Sequence, residues 1–177
     1  NRLEILEALD ILQGRGREDI TTFICELAQI MLGLADVEKT AEEVREQLTN
    51  GAALKKFEAM IAAQGGDLED LYRPSSAVHI VDVKAEQAGY ITELPAMEFG
   101  LFAMRLGAGR AVKSDDLDYE TGIVFEKKVG DKVEIGEVFA KIYSNEKISQ
   151  ELVTDFQKNV KIGDESVAVS EIIEVIA

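Results

Sequence analysis

Apolar residues in the first part of the chain recur with the period of an α-helix. Leucines three residues apart predict a first helix that ends at Gly14 and Gly16: they are Leu3, Leu6, Leu9 and Leu12. A longer run from Ile20 to Leu34 keeps helical spacing throughout. It predicts a second helix with one broad apolar face.

Two further helices are predicted before residue 74. Thr40 and Glu43 stand three residues apart ahead of Val44 and Leu48, which is the capping-box pattern of a helix start. A fourth helix carries apolar residues at helical spacing: Leu54, Phe57, Met60 and Ile61. It is expected to end at residues 64–67, Gln-Gly-Gly-Asp.

The use of valine changes abruptly near residue 74. Residues 1–73 contain two valines and residues 74–177 contain thirteen. Valine favours strands because its branched Cβ is stiff and packs well on a pleated surface. The sequence therefore predicts a helical segment over 1–73 and a strand-rich domain over 74–177, joined by a linker at Arg73–Ser76.

The second part alternates between strand and helix patterns. Its first strand is carried either by Val78 and Ile80 or by His79, Val81 and Val83. The later elements are strands at Gly89–Leu94, Gly122–Val129, Lys132–Ile135 and Val138–Tyr143, helices at Met97–Leu106 and Ile148–Phe156, and two short strands that close the chain. The predicted fold class is α+β, with a small antiparallel or barrel-like β unit.

Charge and composition exclude several classes of protein. The formal net charge is −15, which argues against a nucleic-acid partner and against an anionic membrane surface. No apolar run approaches the ~20 residues of a membrane span. One cysteine and one histidine exclude both an internal disulfide and a zinc site built from Cys and His alone. An acidic cytoplasmic protein is expected.

The single cysteine and the single histidine are both expected to be structural. His79 lies in an alternating strand pattern without a visible catalytic partner. Cys25 lies on the apolar face of the second helix, where a buried thiol is ordinary packing.

Two loop motifs suggest ligands but fit simpler roles. Gly107–Arg110, Gly-Ala-Gly-Arg, follows a helix, whereas a dinucleotide loop follows a strand and precedes a helix. We expect a helix C-cap and turn. Asp115, Asp116 and Asp118 suggest calcium, but Glu120 stands where an EF-hand loop requires glycine. We expect a solvated acidic turn.

Residues 122–141 place a short strand between two turns, at Gly130-Asp131 and Gly136-Glu137. This pattern resembles the flattened barrel of biotinyl and lipoyl carrier domains. Those carriers present a modified lysine in Met-Lys-Met or Asp-Lys-Ala, and neither tripeptide occurs here. A non-catalytic binding or carrier module is the alternative function.

Short motifs follow one another in a fixed order between residues 1 and 143. They are Asn1–Ala8, Leu12–Gly14, Ala52–Phe57, Ala62–Asp67, Ala88–Ile91, Leu106–Arg110, Asp116–Asp118, Gly122–Ile123 and Val129–Val133. In this order they resemble the C-terminal part of the pyrimidine-nucleoside phosphorylases, the family that includes thymidine phosphorylase. A related phosphoribosyltransferase is less similar, because such transferases generally lack the domain that follows residue 78.

The resemblance implies a glycosyltransferase of pyrimidine salvage. These enzymes cleave uridine, thymidine or deoxyuridine with inorganic phosphate, giving the free base and a pentose 1-phosphate. The resemblance implies a homodimer and no organic cofactor. It also implies a site in a cleft between two lobes, where closure assembles the catalytic groups.

The resemblance further implies that this chain is a fragment. The family's phosphate loop and its pyrimidine-contacting Arg, Ser and Lys correspond to positions before Asn1, so no catalytic, phosphate-binding or substrate-binding residue is expected here. The fragment is expected to be inactive alone. One metal ligand is implied: Glu7, in the segment Asn-x-x-Glu-x-x-Glu, for a potassium-like monovalent ion. The family usually has a small residue where this chain has Arg2.

A fragment of this kind leaves its front helices partly uncovered. In the family such helices cover a central sheet that lies mostly upstream. Exposed apolar area costs about 25 cal/mol per Å². The sequence therefore predicts that the fragment self-associates or rearranges its first helices.

Overall fold

The computed structural model describes residues 1–77 and 79–169, which contain seven helices and six strands. The predicted α+β class is confirmed. The chain forms two compact units. The helical unit is Glu4–Pro74, and the sheet unit combines Asn1–Leu3 with the residues from Ser75 onward.

Five helices precede the linker. They are α1 (Arg2–Leu12), α2 (Glu18–Leu34), α3 (Ala41–Thr49), α4 (Ala52–Ala63) and α5 (Leu68–Tyr72). The four predicted helices are confirmed, and α5 is an addition. Its five residues are too few to show a helical period. The side chain of Asp67 caps the N-terminus of α5 by accepting a hydrogen bond from the Glu69 amide at 2.9 Å.

The predicted capping box at the start of α3 is present in full. The Glu43 amide donates to Thr40 Oγ1 at 3.2 Å, and the Thr40 amide donates to Glu43 Oε2 at 2.9 Å. Two amides at the helix start are thereby satisfied within the helix itself.

The helical unit has a small core and a partly uncovered second helix. Ile11, Cys25 and Leu48 are buried together, with Ile20 and Val44 packed against them. On α2, however, four apolar side chains are exposed: Ile24, Leu27, Met31 and Leu34. Met31 and Leu34 are exposed by well over half. The broad apolar face of α2 is therefore only partly used in the described chain.

The sheet unit contains two antiparallel sheets and two helices. The elements are β1 (His79–Lys84), β2 (Gly89–Glu93), α6 (Ala96–Arg105), β3 (Gly122–Phe125), β4 (Lys132–Val133), β5 (Val138–Ser144), α7 (Gln150–Lys158) and β6 (Lys161–Gly163). One sheet has the order β1-β5-β3 and the other β4-β2-β6. Within the described residues the strands form two sheets of three rather than one closed barrel.

The burial of the β1 side chains shows which of the two alternating sets of residues faces inward. Val83 is fully buried and Val81 is half-buried, whereas Ile80 is 55% exposed. The inward set is therefore His79, Val81 and Val83. Val78, which belongs to the other set, lies outside the described residues, as does the last part of the chain, where the second closing strand was predicted.

The predicted strand 122–129 is shorter in the structure, because a bulge ends its pairing. The amides of Glu126 and Lys127 both donate to the Phe139 carbonyl, at 2.9 and 3.2 Å. The chain then turns at Gly130, whose φ of +94° suits glycine. The turn is closed by the Lys128 amide, which donates to Asp131 Oδ2 at 2.8 Å.

A phenylalanine cluster holds the two helices of this unit against the β1-β5-β3 sheet. Phe156 of α7 is fully buried at the centre of the cluster. Its ring centroid lies 4.7 Å from that of Phe99, 5.1 Å from Phe102, 6.0 Å from Phe125 and 6.3 Å from Phe139. Contacts at these distances are favourable beyond simple area burial.

No helix within residues 1–77 and 79–169 combines the length and apolar character needed to cross a bilayer.

Candidate functional site

Glu7, the sequence-predicted metal ligand, lies exposed on α1. Among the described residues, no group of three or more His, Cys, Asp or Glu side chains could hold a metal ion. The role of Glu7 as a metal ligand therefore stays a prediction.

The residues that precede Glu7 are fixed by hydrogen bonds within the sheet unit. The Arg2 amide donates to the Tyr119 carbonyl at 3.0 Å, and Asn1 Nδ2 donates to the Ala108 carbonyl at 3.3 Å. The start of α1 is thus attached to two loops, one after α6 and one before β3.

The Gly107–Arg110 loop is a helix C-cap and turn, as predicted. The Gly107 amide donates to the Met104 carbonyl, and the Ala108 amide donates to the Ala103 carbonyl, both at 3.0 Å. Gly107 has a φ of +99°, which an L side chain rarely adopts. These bonds satisfy the last carbonyls of α6, so the loop amides named here point at protein rather than at a phosphate.

Asp115 stabilises the next loop from within. Its Oδ2 accepts hydrogen bonds from the Ala111 and Val112 amides, both at 3.0 Å, and its carbonyl accepts one from Arg110 Nε at 2.9 Å. The carboxylate is therefore engaged by its own backbone. Asp116 is exposed. These contacts support a solvated acidic turn over a calcium loop.

Asp118 lies at the centre of a tighter network. Its carboxylate accepts hydrogen bonds from Thr121 Oγ1 at 2.7 Å, from the Glu120 amide at 3.0 Å and from Asn145 Nδ2 at 3.0 Å. Burial acts to raise the pKa of Asp118, but these hydrogen bonds outweigh it and hold the pKa below its usual value. The network joins the segment before β3 to the segment after β5.

We expect Asp118→Asn to destabilise the chain by about 1–3 kcal/mol at pH 7, because an amide cannot accept all of these bonds. Since folding lowers the pKa of Asp118, its contribution is present above the unfolded value, about 3.9, and is lost as pH falls through the folded value. Urea unfolding between pH 7 and pH 2 measures both effects. The control is Asp116→Asn, which should match wild type. Equal stability of Asp118→Asn and wild type at pH 7 would contradict the prediction.

A buried ion pair near this network was not predicted from the sequence. Glu120 is 8% exposed, and its Oε1 lies 3.5 Å from Arg2 Nε. Its Oε2 accepts hydrogen bonds from Ser75 Oγ at 2.8 Å and from the Ser76 amide at 3.2 Å. No local pattern in the sequence links Arg2 to Glu120, because the two residues are far apart along the chain.

Cys25 and His79 occupy the structural positions expected of them. Cys25 is a buried free thiol in the core of the helical unit. His79 is half-buried at the start of β1 and pairs with Ser144 of β5 in the ladder.

Two lysines near the β-hairpin turns are held in ion pairs. Lys127 Nζ lies 2.8 Å from Glu137 Oε1, and Lys132 Nζ lies 3.0 Å from Glu134 Oε1. The hydrogen bond to each carboxylate raises the pKa of the lysine. A raised pKa keeps each amine protonated and therefore weakly nucleophilic. This arrangement, like the missing carrier tripeptides, gives no support to a swinging-arm module.

An apolar groove of about 700 Å³ lies between α2, α3 and the start of α4. Its lining includes Ile24, Ala28, Met31, Val37 and Val44. Two of the exposed α2 side chains, Ile24 and Met31, line the groove, which has few polar groups for orienting a small substrate. It fits an apolar packing surface better than a catalytic pocket.

Comparison with known proteins shows what the sheet unit is similar to. Residues 90–163, from β2 to β6, match the family model of the pyrimidine nucleoside phosphorylase C-terminal domain. This range includes both sheets in part, both helices of the sheet unit and the Asp118 network.

Nearly the entire chain is similar to curated pyrimidine-nucleoside phosphorylases. Those of Staphylococcus aureus strains USA300, NCTC 8325 and COL are each 40% identical to it over 175 residues, covering 95% of this chain. The chain spans about 40% of the length of these relatives. The resemblance to the C-terminal portion of a pyrimidine-nucleoside phosphorylase is confirmed, and the carrier module is not favoured.

Proposed function

We propose that this chain is the C-terminal portion of a pyrimidine-nucleoside phosphorylase. The protein would cleave uridine, thymidine or deoxyuridine with inorganic phosphate, releasing the pyrimidine and a (deoxy)ribose 1-phosphate. The observation that carries the proposal is the 40% identity to such enzymes across 95% of the chain. The domain match over residues 90–163 supports it independently of the helical unit.

The reaction requires positioning and charge stabilisation more than covalent chemistry by the protein. A phosphate oxygen attacks the sugar carbon as the bond to the base breaks, so positive charge develops on the sugar and negative charge on the base. The protein must hold phosphate and sugar in line and stabilise the departing base. We assign these contacts to residues outside this chain. This chain would supply part of the scaffold on which those residues are assembled.

The domain organisation follows from the same proposal. Residues 1–73 would be a helical segment of a larger α/β domain, and residues 74–177 would be the C-terminal α/β domain. The division of the structure between Pro74 and Ser75 is consistent with this boundary. A cytoplasmic location and a homodimeric parent are part of the proposal.

The experiment that tests the function uses the longer protein that contains this chain. Phosphate-dependent release of uracil from uridine and of thymine from thymidine is followed by chromatography, with phosphate-free reactions as controls. Release from both substrates supports a broad phosphorylase, and release from thymidine alone narrows it to thymidine phosphorylase. Folded protein that releases neither base would refute the proposal and favour the binding-module alternative.

Glu7 is proposed as one ligand of a potassium-like ion in the longer protein, where the ion would supply fixed positive charge. Ligand binding to the folded state alone raises stability. We therefore expect KCl to raise the melting temperature of the longer protein relative to choline chloride, and Glu7→Gln to lose most of this rise. Glu26→Gln, which changes an exposed carboxylate on α2 outside the Asn-x-x-Glu-x-x-Glu segment, is the control. An unchanged potassium effect in Glu7→Gln would remove Glu7 from the proposed ligands.

The 177-residue chain is proposed to self-associate through the groove on its helical unit. Met31 is 68% exposed on α2 and lines this groove, and burying such a side chain is favourable at about 25 cal/mol per Å². Light scattering should show mass increasing with concentration, and Met31→Glu should weaken association at least tenfold. Met97→Glu is the control, because Met97 is equally exposed but lies on α6. A monomer at every concentration would contradict this.

A further inference from the structure

The chain passes between its two units at two places. The first is between Leu3 and Glu4, and the second is between Pro74 and Ser75. Arg2 stands just before the first crossing, and Ser75 and Ser76 stand just after the second. All three residues belong to the sheet unit, and all three contact the carboxylate of Glu120.

The two oxygens of this carboxylate are divided between the two crossings. Oε1 lies 3.5 Å from Arg2 Nε. Oε2 accepts the Ser75 hydroxyl at 2.8 Å and the Ser76 amide at 3.2 Å. The Ser75 hydroxyl oxygen also accepts a hydrogen bond from the Ala77 amide at 3.2 Å, which extends the attachment along the linker. We call Glu120, Arg2, Ser75 and Ser76 the Glu120 clasp.

Burial makes these contacts costly to break. The side chains of Arg2 and Glu120 are only 11% and 10% exposed. Water cannot readily replace a partner that is lost at such a site, so an unpaired charge there is costly. By contrast, the pair formed by Glu126 and Lys141 in the same unit is 42% and 36% exposed, and pairs of that kind contribute little.

The backbone that carries Glu120 is itself fixed. The Glu120 amide donates to Asp118 Oδ1 at 3.0 Å, and the neighbouring Tyr119 carbonyl accepts the Arg2 amide at 3.0 Å. Thr121, the next residue, is fully buried. The carboxylate is therefore carried by a segment that is held by backbone hydrogen bonds and followed by a buried residue.

We propose that Glu120 is a positioning residue that couples the two crossings, so that release of one loosens the other. The carboxylate holds the start of α1 and the end of the linker, Ser75 and Ser76, in one arrangement. This inference does not depend on the proposed phosphorylase function.

Amide hydrogen exchange measured by NMR on the 177-residue chain tests the coupling. Arg2→Met removes the cation from the first crossing but leaves Ser75 and Ser76 intact. We expect the exchange rate of the Ser76 amide, at the second crossing, to rise about tenfold or more. Ser75→Ala should raise the exchange of the Arg2 amide in the same way. The exchange rates of the Val83 and Ile142 amides, in the sheet core, should rise by clearly less.

Two variants of Glu120 separate charge from hydrogen bonding. Glu120→Gln keeps an acceptor for Ser75 and Ser76 but loses the charge opposite Arg2, so it should affect the Arg2 amide more than the Ser76 amide. Glu120→Ala should affect both. Should Glu120→Ala fail to fold, the Arg2→Met and Ser75→Ala chains still decide the question, because each retains the carboxylate.

The matched control is Glu126→Ala, which removes the exposed pair with Lys141 and should leave the Arg2 and Ser76 amides unchanged. The proposal is overturned if Arg2→Met leaves the Ser76 amide at its wild-type rate. It is equally overturned if exchange rises uniformly across the sheet unit, Val83 and Ile142 included. That result would show general destabilisation in place of coupling between the crossings.

Discussion

The 177-residue chain alone should release no uracil from uridine and no thymine from thymidine, with or without phosphate. Phosphorolysis depends on holding phosphate, sugar and base in line, and we assign all three sets of contacts to residues outside this chain. Because enzymes accelerate reactions by at least about a millionfold, the loss should reach the uncatalysed background.

The assay compares this chain with the longer protein at equal concentration. Both are purified from a host without its own pyrimidine phosphorylases, and free base is measured by chromatography over several hours. Circular dichroism establishes that the short chain is folded. Phosphate-dependent release of base by the short chain would show that it carries a complete site, and would contradict our assignment.

Replacement of Phe156 by alanine should produce the largest loss of stability in the sheet unit, about 3–5 kcal/mol. The ring is fully buried and lies within 6.3 Å, centroid to centroid, of four other phenylalanine rings. Its removal leaves a cavity bordered by α6, α7 and the sheets, and the rigid aromatic neighbours can fill little of it.

Urea unfolding monitored by circular dichroism measures this loss. Phe156→Leu should lose less, because it keeps part of the buried volume. Met97→Ala on α6 is the control, since Met97 is 73% exposed and its truncation should cost little. A loss below about 1 kcal/mol in Phe156→Ala would mean that the cluster is not the core of this unit.

Local patterns in the sequence predicted most of the elements. Helical spacing located α1 to α4, the Thr40–Glu43 pair located the start of α3, and glycines located the turns at 130 and 136. Each of these signals arises within a few residues, where backbone sterics and capping hydrogen bonds act directly. The short helix α5 was not predicted, because it is shorter than two turns.

Pairing between distant segments could not be predicted in the same way. The alternation of β1 allowed two registers, and only the ladder with β5 shows which side chains face inward. The Arg2–Glu120 pair joins residues that are far apart in the sequence, and no local pattern around either residue indicates that they meet. Such contacts depend on the folded topology, which hydrophobic period does not specify.

For the candidate site, the sequence was most informative about what the loops are not. The helix that precedes the glycines at 107–110 argued against a nucleotide loop, and the contacts there are those of a helix cap. The acidic residues after Asp115 suggested a cation, and in the structure Asp115 and Asp118 bind backbone amides and neighbouring side chains. Short polar loops look alike in sequence because the same carboxylates serve ions and amides.

The pairing of β1 with β5 has a consequence for synthesis of the protein. On the ribosome, β1 emerges well before β5, since β2, α6, β3 and β4 are all made in between. The helices of the helical unit depend on local contacts and can form at once. The backbone of β1, in contrast, has no strand partner until β5 has been made. A nascent chain stalled before Val138 would therefore present a strand of alternating valines, which is a natural target for a chaperone.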